Sequence, residues 1–262
     1  MSSPEGNKVT DATLHLLREL IRRDLTARFT GSALGLAWAI LQPLSLVVLY
    51  WFVFTFMIPG GRAGGSGDQY IYFLIAGLLP WLGVSEGLSR ATTSIVDNSA
   101  IVRRLPLRSE LLVIVPNATA MIFECVALAI FIIARLAQGM PMPKLWLLPV
   151  ALVLQFLLQL GVGFFLSATY VFFRDVTQII GFVLSIAFYL SPILYPVEGS
   201  RFEKFFFWNP MTPLLGLFRS AMLASPLPDV ASIVFLLTIA AAVCSGGLLF
   251  FRRAQPSLVD VI

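Results

Sequence analysis

The chain has 262 residues, of which 58% are apolar and only 12% are charged, with a mean hydropathy of +0.88. Soluble domains average about 45–50% apolar and about 25% charged residues, so this chain lacks the charges needed to cover a water-facing surface. Disorder is excluded because too much apolar surface would remain in water. The net charge is +4, and the 18 basic residues are scattered among apolar segments. This distribution argues against a nucleic-acid-binding patch and for a membrane protein.

The N-terminal segment predicts an amphipathic helix over residues 12–30. Leucine and isoleucine recur at three- and four-residue steps, and the basic residues Arg18, Arg22 and Arg23 lie on the other faces. Thr10 or Asp11 can cap its start. The segment is too charged to cross a bilayer, so we expect it to lie in the cytoplasmic interface. The pattern leaves open a membrane anchor or a docking surface for a cytoplasmic partner, and by itself favours the anchor.

Six stretches are long and apolar enough to cross a bilayer, which requires about 20 residues. They are residues 34–57, 70–88, 111–134, 145–173, 179–195 and 230–251. The apolar runs are continuous rather than alternating, so they predict helices and not barrel strands. The predicted fold is therefore an all-α integral membrane protein with six transmembrane helices.

The distribution of basic residues predicts the orientation. Twelve Lys and Arg residues lie on the side of the N-terminus and six lie on the opposite side. Cytoplasmic loops carry the excess of basic residues, so both termini are expected in the cytoplasm. We divide the chain into a cytoplasmic tail and interface helix (1–33), a transmembrane domain (34–254) and a cytoplasmic tail (255–262).

Two further segments outside the spans predict short helices. A cytoplasmic one follows the possible caps Asp97 and Asn98, contains Ile101, Arg103 and Arg104, and stops at Pro106. Its Arg pair either enforces topology or belongs to a knob that transmits motion from a soluble protein. The extracytoplasmic segment 197–228 holds an aromatic cluster and then a helix that opens at Thr212-Pro213. The second helix is too short to span, so it either dips into the membrane and returns or lies along the interface.

Polar and aromatic residues inside the spans are the candidate binding residues. Glu124 in the third span is the most central acid. The absence of a basic residue at a comparable depth favours a packing role through a hydrogen bond over a functional role. Aromatic and polar side chains share a face in the first and fifth spans, and such faces suit sugar rings and hydroxyls, although ordinary helix packing explains them too. They are Trp38, Gln42, Ser45, Phe52, Phe56, Phe182, Ser185, Tyr189 and Tyr195.

Catalytic, metal-binding and nucleotide-binding motifs are absent from the sequence. The glycine-rich segment 60–67 has no lysine and no strand-to-helix setting, so it does not form a phosphate-binding loop. The two cysteines lie apart within apolar runs, and the single histidine, His15, stands alone. We therefore expect no metal and no cofactor in this chain.

The motifs together resemble those of ABC-2 type permeases of bacterial polysaccharide exporters, which move O-antigen, capsular and teichoic acid polymers. The likeness covers nearly the whole chain in order and is greatest to the O-antigen members. It is carried by the following segments: Arg23-Asp24-Leu25, Phe29-Thr30-Gly31-Ser32, Gln42-Pro43-Leu44, Arg103-Arg104-Leu105-Pro106, Phe173-Arg174-Asp175, Tyr189-Leu190-Ser191-Pro192 and Asn209-Pro210-Met211-Thr212-Pro213.

The resemblance implies a half-transporter of the inner membrane, in which two copies pair and two separate ATPase subunits bind ATP and Mg. Residues 12–30 become an interface helix and 97–105 a coupling helix seated in the ATPase. Segments 202–208 and 213–223 become two short extracytoplasmic gate helices, with Phe205, Trp208, Pro213, Phe218 and Arg219 as gate residues. Spans one and five would line a channel, and the substrate would be a polysaccharide on an undecaprenyl diphosphate lipid.

The residues independently favour a dimer and an external motor. Six helices pack too tightly to pass a glycan, whereas a seam between two bundles leaves room, and the chain has no nucleotide-binding fold to drive export. Two alternatives remain open. One is a permease for teichoic acid or a small lipophilic compound, and the other is a membrane-embedded enzyme of lipid-linked sugar metabolism, which would need clustered acids or a histidine near a membrane face.

Overall fold

The structure is a computed structural model that describes residues 4–28, 31, 34–53, 56, 67–104, 109–197 and 203–261. Those residues form helices and connecting turns, and no β-strand occurs among them. The helices are α1 (Pro4–Ala27), α2 (Trp38–Phe52), α3 (Gly67–Asp97), α4 (Ser99–Arg104), α5 (Glu110–Ala137), α6 (Leu148–Phe172), α7 (Val176–Leu190), α8 (Glu203–Phe207), α9 (Met211–Leu223) and α10 (Val230–Val261). The predicted all-α class is confirmed.

Four helices of the described part are long and apolar enough to cross a bilayer: Gln69–Asp97, Glu110–Ala137, Leu145–Phe172 and Val230–Ser257. They correspond to the predicted second, third, fourth and sixth spans. The helices in the predicted first and fifth spans, α2 and α7, have 15 residues each. At 1.5 Å per residue they are about 22 Å long, which is less than the hydrocarbon thickness of about 30 Å.

Several predicted helix ends were wrong because apolar runs and helices do not end at the same residues. α3 continues nine residues beyond the predicted Leu88 to Asp97, since Ala91 and Ile95 stay fully buried against the neighbouring helices. α10 likewise runs past Phe251, which is itself fully buried, to Val261. α7 ends at Leu190 instead of Tyr195 because Pro192 forces Ser191 into an extended conformation.

The starts of two short elements also differ from the prediction. α1 begins at Pro4, which suits the first turn of a helix, and passes through Thr10 and Asp11 without a cap there. α9 begins at Met211, whose amide donates to the Asn209 Oδ1 atom at 2.9 Å. The side chain of Asn209, and not that of Thr212, therefore satisfies the first amide of the helix. The hydroxyl of Thr212 is buried without a hydrogen bond.

We call the end of the bundle at which α3 begins the outer end, following the predicted orientation, and the end that carries α4 the inner end. α3 lies at the centre and packs against α5, α6 and α9, while α6 also packs along α10. The core has one cluster around Leu128, Leu214 and Phe218 toward the outer end and another around Ile95 and Phe251 toward the inner end. α9 is therefore buried in the bundle.

α6 and α10 approach each other at two glycines. A Cβ atom added to Gly247 would overlap the carbonyl oxygen of Gly161, and one added to Gly161 would overlap the backbone of Val243. Small residues let membrane helices approach until their backbones touch, which replaces the hydrophobic driving force that is missing in lipid. The glycines therefore set the distance between these two helices.

We expect Gly247→Ala to lower the free energy of unfolding by about 1–3 kcal/mol because the added methyl group must push α6 and α10 apart. Thermal unfolding of the detergent-purified protein, followed by intrinsic fluorescence, measures the change. Gly246→Ala is the matched control, because a Cβ there meets nothing within 4 Å. A Gly247→Ala protein as stable as the Gly246→Ala protein would contradict the close approach.

Candidate functional site

A network of charged side chains joins α1 to the inner half of the bundle. The Arg90 Nη2 atom lies 2.6 Å from Asp24 Oδ1 and 2.8 Å from Asp24 Oδ2. The Arg28 Nη2 atom donates to Glu86 Oε2 at 2.8 Å. The Thr119 hydroxyl of α5 donates to Asp24 at 2.8 Å and accepts from Arg90 at 3.1 Å. Three helices are thus held together by charge-assisted hydrogen bonds.

The spacing of these residues explains the geometry. Asp24 and Arg28 lie one turn apart on α1, and Glu86 and Arg90 lie one turn apart on α3, so each pair occupies one helix face. Because the acid precedes the base in both helices and the helices run in opposite directions, each acid meets the other helix's base. The i,i+4 contact between Arg90 and Glu86 is only marginal at 4.0 Å.

The sequence reasoning missed this network. The site residues predicted from the sequence include none of Asp24, Arg28, Glu86 and Arg90. The signal was the repeated spacing of an acid followed four residues later by an arginine in two separate helices. The predicted interface residues Arg18, Arg22 and Arg23 lie instead on the exposed side of α1.

The predicted coupling segment forms the short helix α4 directly after α3. Asp97 is exposed at the end of α3, and the Asn98 side chain donates to the Ser94 carbonyl at 2.8 Å. The Asn98 carbonyl accepts the Val102 amide at 3.1 Å, which starts α4. The side chains of Ile101, Arg103 and Arg104 lie outside the described part of the structure.

The intramembrane acid Glu124 is buried between α3, α5 and α6. Its side chain is 4% exposed and accepts a hydrogen bond from Gln155 on α6. Gly83 on α3 faces it, and a Cβ at that position would overlap the carboxylate. One turn deeper into α6, the Gln159 amide donates to the Asn117 carbonyl at 3.3 Å. Interhelical hydrogen bonds of this kind are the usual role of buried polar groups in membranes.

A cleft of about 310 Å³ connects the two polar regions. Arg28 and Glu86 lie along it near the inner end, Glu124 and Gly83 lie along its deeper part, and Gln42 of α2 contributes to its wall. Ser85 and Ser89 also line it. The cleft therefore places hydroxyl, amide and charged groups inside an otherwise apolar bundle.

The predicted path residues lie on the exposed surfaces of α2 and α7. Trp38 is 47% exposed and Phe52 44% on α2, and Phe182 is 66% exposed and Tyr189 62% on α7. Phe56, Gln42, Ser45 and Ser185 are exposed as well, and the Tyr195 hydroxyl donates to the Tyr189 carbonyl. The buried sides of the two helices meet through Tyr50 and Phe188, whose rings stack at 5.7 Å.

The predicted gate residues fall into two groups. Phe205 and Trp208 of the α8 region are exposed, whereas Pro213, Phe218 and Arg219 of α9 are buried. The Arg219 guanidinium lies 3.5 Å from the Phe73 ring centroid, and its Nη2 atom donates to the Ile193 carbonyl at 3.2 Å. Arg219 therefore joins α9 to α3 and to the turn after α7.

One acid at the outer end has an altered ionisation. Asp229 precedes α10, and its Oδ2 atom accepts the Ser232 amide at 3.2 Å. Hydrogen bonds from Ser232 hold the pKa of this carboxyl below its ordinary value, because they stabilise the charged form. The described residues contain no group of three or more His, Cys, Asp or Glu side chains that could hold a metal ion.

The long apolar helices define an integral membrane protein, and the polar groups within the bundle bind neighbouring helices instead of forming a catalytic cluster. Residues 15–223 match the ABC-2 type transporter family. The chain belongs to this family, so it is a transport permease and not an enzyme.

Individual relatives agree with this classification over nearly their full lengths. The O-antigen export system permease protein RfbA of Myxococcus xanthus is 26% identical over 252 residues, covering 94% of this chain and 95% of the relative. A protein with the same name from Klebsiella pneumoniae is 24% identical, with the same coverage. The polysialic acid transport protein KpsM of Escherichia coli is 21% identical over 97% of both chains.

We expect Asp24→Asn and Arg90→Gln each to lower the free energy of unfolding. The double variant should lower it by less than the sum of the two single changes. The coupling between two hydrogen-bonded charges that are partly shielded from water should be about 0.5–3 kcal/mol. Thermal unfolding of the four proteins in detergent measures it. The exposed pair Arg252–Glu110, with Arg252 58% exposed, is the control cycle, and its coupling should not exceed about 1 kcal/mol. Strict additivity of Asp24 and Arg90 would contradict the network.

Proposed function

We propose that this chain is the permease subunit of an ABC exporter that moves an undecaprenyl-diphosphate-linked polysaccharide of the O-antigen type across the inner membrane. The observation that carries the proposal is the similarity to O-antigen export permeases over 94% of the chain. The motifs that resemble this exporter group run through the same length. A separate ATPase subunit supplies the energy, since the sequence contains no phosphate-binding loop.

In the proposed topology six segments cross the membrane and both termini are cytoplasmic. Four long helices supply four crossings, and α2 and α7 with their flanking residues supply the first and fifth. The two-to-one bias of basic residues toward the inner end supports the orientation. The paired arginines of α4 and the exposed arginines of α1 then face the cytoplasm.

The polysaccharide path is proposed to lie between two copies of the chain, along α2 and α7. Their exposed faces mix aromatic rings with amide and hydroxyl groups, which suits the apolar faces and the hydroxyls of sugars. No strong ionic group lies on these faces among the described residues, so a neutral glycan is not held tightly. α8 and α9 at the outer end would act as the gate.

Coupling to the motor is proposed to pass through α1 and α4. α4 follows α3 after a single residue. α1 is tied to α3 by the ion pairs of Asp24 and Arg28 and to α5 by the hydrogen bond that Thr119 donates to Asp24. A push from a pair of ATPase subunits on either short helix therefore reaches the central helix. ATP and Mg would bind to those subunits.

The central experiment purifies the chain together with the ATPase encoded beside it and measures ATP hydrolysis. We propose that the two proteins copurify in equal amounts and that lipid-linked glycan stimulates the hydrolysis. Copurification without a response to any glycan, but with a response to a small lipophilic compound, would favour the second transporter alternative. A response to a teichoic acid or a capsular polymer would support a polymer exporter with a different substrate. Polysialic acid is one polymer to test, because the relative KpsM is named as a polysialic acid transport protein.

We expect Arg103→Glu combined with Arg104→Glu to abolish export while the protein still inserts, because the reversed charges repel the surface to which the helix docks. Surface polysaccharide, scored by gel electrophoresis of whole-cell extracts, is the readout, and membrane fractionation checks insertion. The pair Arg252→Glu and Arg253→Glu reverses the same charge on α10 and should leave export within about twofold. Export that survives the α4 reversal would refute the coupling role.

We expect Trp38→Ala and Tyr189→Ala to slow export about two- to tenfold each, since an aromatic contact contributes about 0.5–1.5 kcal/mol beyond its area. Pulse labelling of surface glycan measures the rate. Trp146→Ala removes a ring that is 67% exposed outside the proposed path and serves as the control. Unchanged export rates in both variants would contradict the path role of Trp38 and Tyr189 and leave them with a packing role only.

A further inference from the structure

Arg135, in the last turn of α5, is a buried cation whose side chain meets no acid. It is 7% exposed, and its guanidinium lies 4.7 Å from the centroid of the Tyr72 ring. Its Nη1 atom donates to the Met140 sulfur at 2.8 Å, and its Nε atom is buried without a hydrogen bond. Among the described residues no carboxylate lies within 4.0 Å of it.

The cations at the inner end have different surroundings. Arg28, Arg90 and Arg252 each contact a carboxylate of another helix. A thioether is a weak acceptor and an aromatic face offsets only part of the hydration that a buried cation loses. Arg135 is therefore a strong donor that keeps most of its capacity for an anion.

A cleft of about 660 Å³ opens beside Arg135 at the outer end of the bundle. Its walls carry the Gln69 side chain and the rings of Tyr70 and Tyr72 on α3, and Ser225 lies on the side formed by the residues after α9. Lys144 lies next to this side, with its Nζ atom 2.9 Å from the Ser225 carbonyl. The described lining of the cleft contains no acid.

The surroundings of the cleft match the composition that is typical of the headgroup level. Arg135 is two residues from the end of a membrane-spanning helix. Trp146 and Trp208, 67% and 71% exposed, occur in the same outer region, and exposed tryptophans of membrane proteins concentrate at the headgroup level. The anions that are abundant at this depth are the phosphate esters of lipids.

We propose that this outer cleft is a binding site for the phosphate ester of a lipid headgroup, with Arg135 as its principal ligand. The planar guanidinium matches the spacing of two phosphate oxygens. Gln69 supplies a neutral donor at the rim. The aromatic rings of the walls, including Tyr72, whose hydroxyl already donates to Gln138, cover the glycerol and upper acyl region. The phosphate comes either from an anionic glycerophospholipid or from a polyprenyl diphosphate.

The site does not depend on the polysaccharide assigned to the transporter. Its binding is measured without the ATPase and without glycan, so a failure here leaves the proposed function standing. If Arg135 had a purely structural role, its replacement by Gln would leave the affinity for lipid unchanged. The backbone carbonyl of Arg135 already accepts the amides of Gln138 and Met140, both at 3.2 Å, and those contacts survive replacement of the side chain.

The test titrates the full chain, purified in mild detergent, with dioleoylphosphatidylglycerol and counts bound lipids by native mass spectrometry. Dioleoylphosphatidylcholine, with the same acyl chains and no net charge, is the comparison lipid. We expect saturable binding of phosphatidylglycerol to the natural chain and at least a fivefold loss of affinity in Arg135→Gln. Arg135→Lys keeps the charge but not the planar fork, so its loss should be smaller.

Arg252→Gln removes one positive charge at the inner end and should keep the natural affinity. Equal affinity of Arg135→Gln and the natural chain would overturn the proposal. If Arg135→Gln does not fold, as judged by thermal unfolding, the natural chain decides: equal, non-saturable binding of the two lipids also overturns it. Farnesyl diphosphate then identifies the source of the bound phosphate. If it displaces bound phosphatidylglycerol at a lower concentration than phosphatidylglycerol itself needs, the source is a polyprenyl diphosphate. If it displaces the lipid more weakly, the source is a glycerophospholipid.

Discussion

Helix α3 packs its glycines against polar side chains of neighbouring helices, and the rest of the bundle depends on that packing. Gly83 faces Glu124 and Gly87 faces the Asn117 Oδ1 atom, both on α5, while Gly77 faces the guanidinium of Arg219 on α9. A methyl group at any of these positions would collide with the polar group opposite. Glycine inside a helix costs about 0.5–1 kcal/mol relative to alanine, but at these positions a larger residue would leave no room for the polar side chains opposite.

The same helix connects the two ends of the molecule. Its inner half carries Glu86 and Arg90, which hold α1, and continues through a single residue into α4. Its outer half carries Phe73, which lies under Arg219, and Tyr72, which lies under Arg135. Both the surface proposed for the motor and the cleft proposed for lipid phosphate are therefore attached to one helix, which contains Pro80 near its middle.

The sequence allowed the helical class, the four long spans and the existence of the short helices α4 and α9 to be predicted, because continuous apolar runs and caps are local signals. α8 was expected only from the family resemblance. The ends of α3 and α10 were not predictable from hydropathy, since Ile95 and Phe251 stay buried through contacts with distant helices. The pairing of Asp24 with Arg90 spans 66 residues, and Gln155 meets Glu124 across two helices. Such partners are decided by packing, so composition and spacing suggested the groups but not their contacts.

The contact between Gly161 and Gly247 has a mechanical consequence. With their backbones touching at this point, α6 and α10 cannot slide or separate there without losing a contact in which no side chain can adjust. α2 is joined to the bundle mainly through rings and aliphatic side chains such as Tyr50, Leu46 and Val47, which can change rotamer as they move. Widening of a passage is therefore least costly along α2 and α7, where deformable side chains, and not backbone atoms, form the contact.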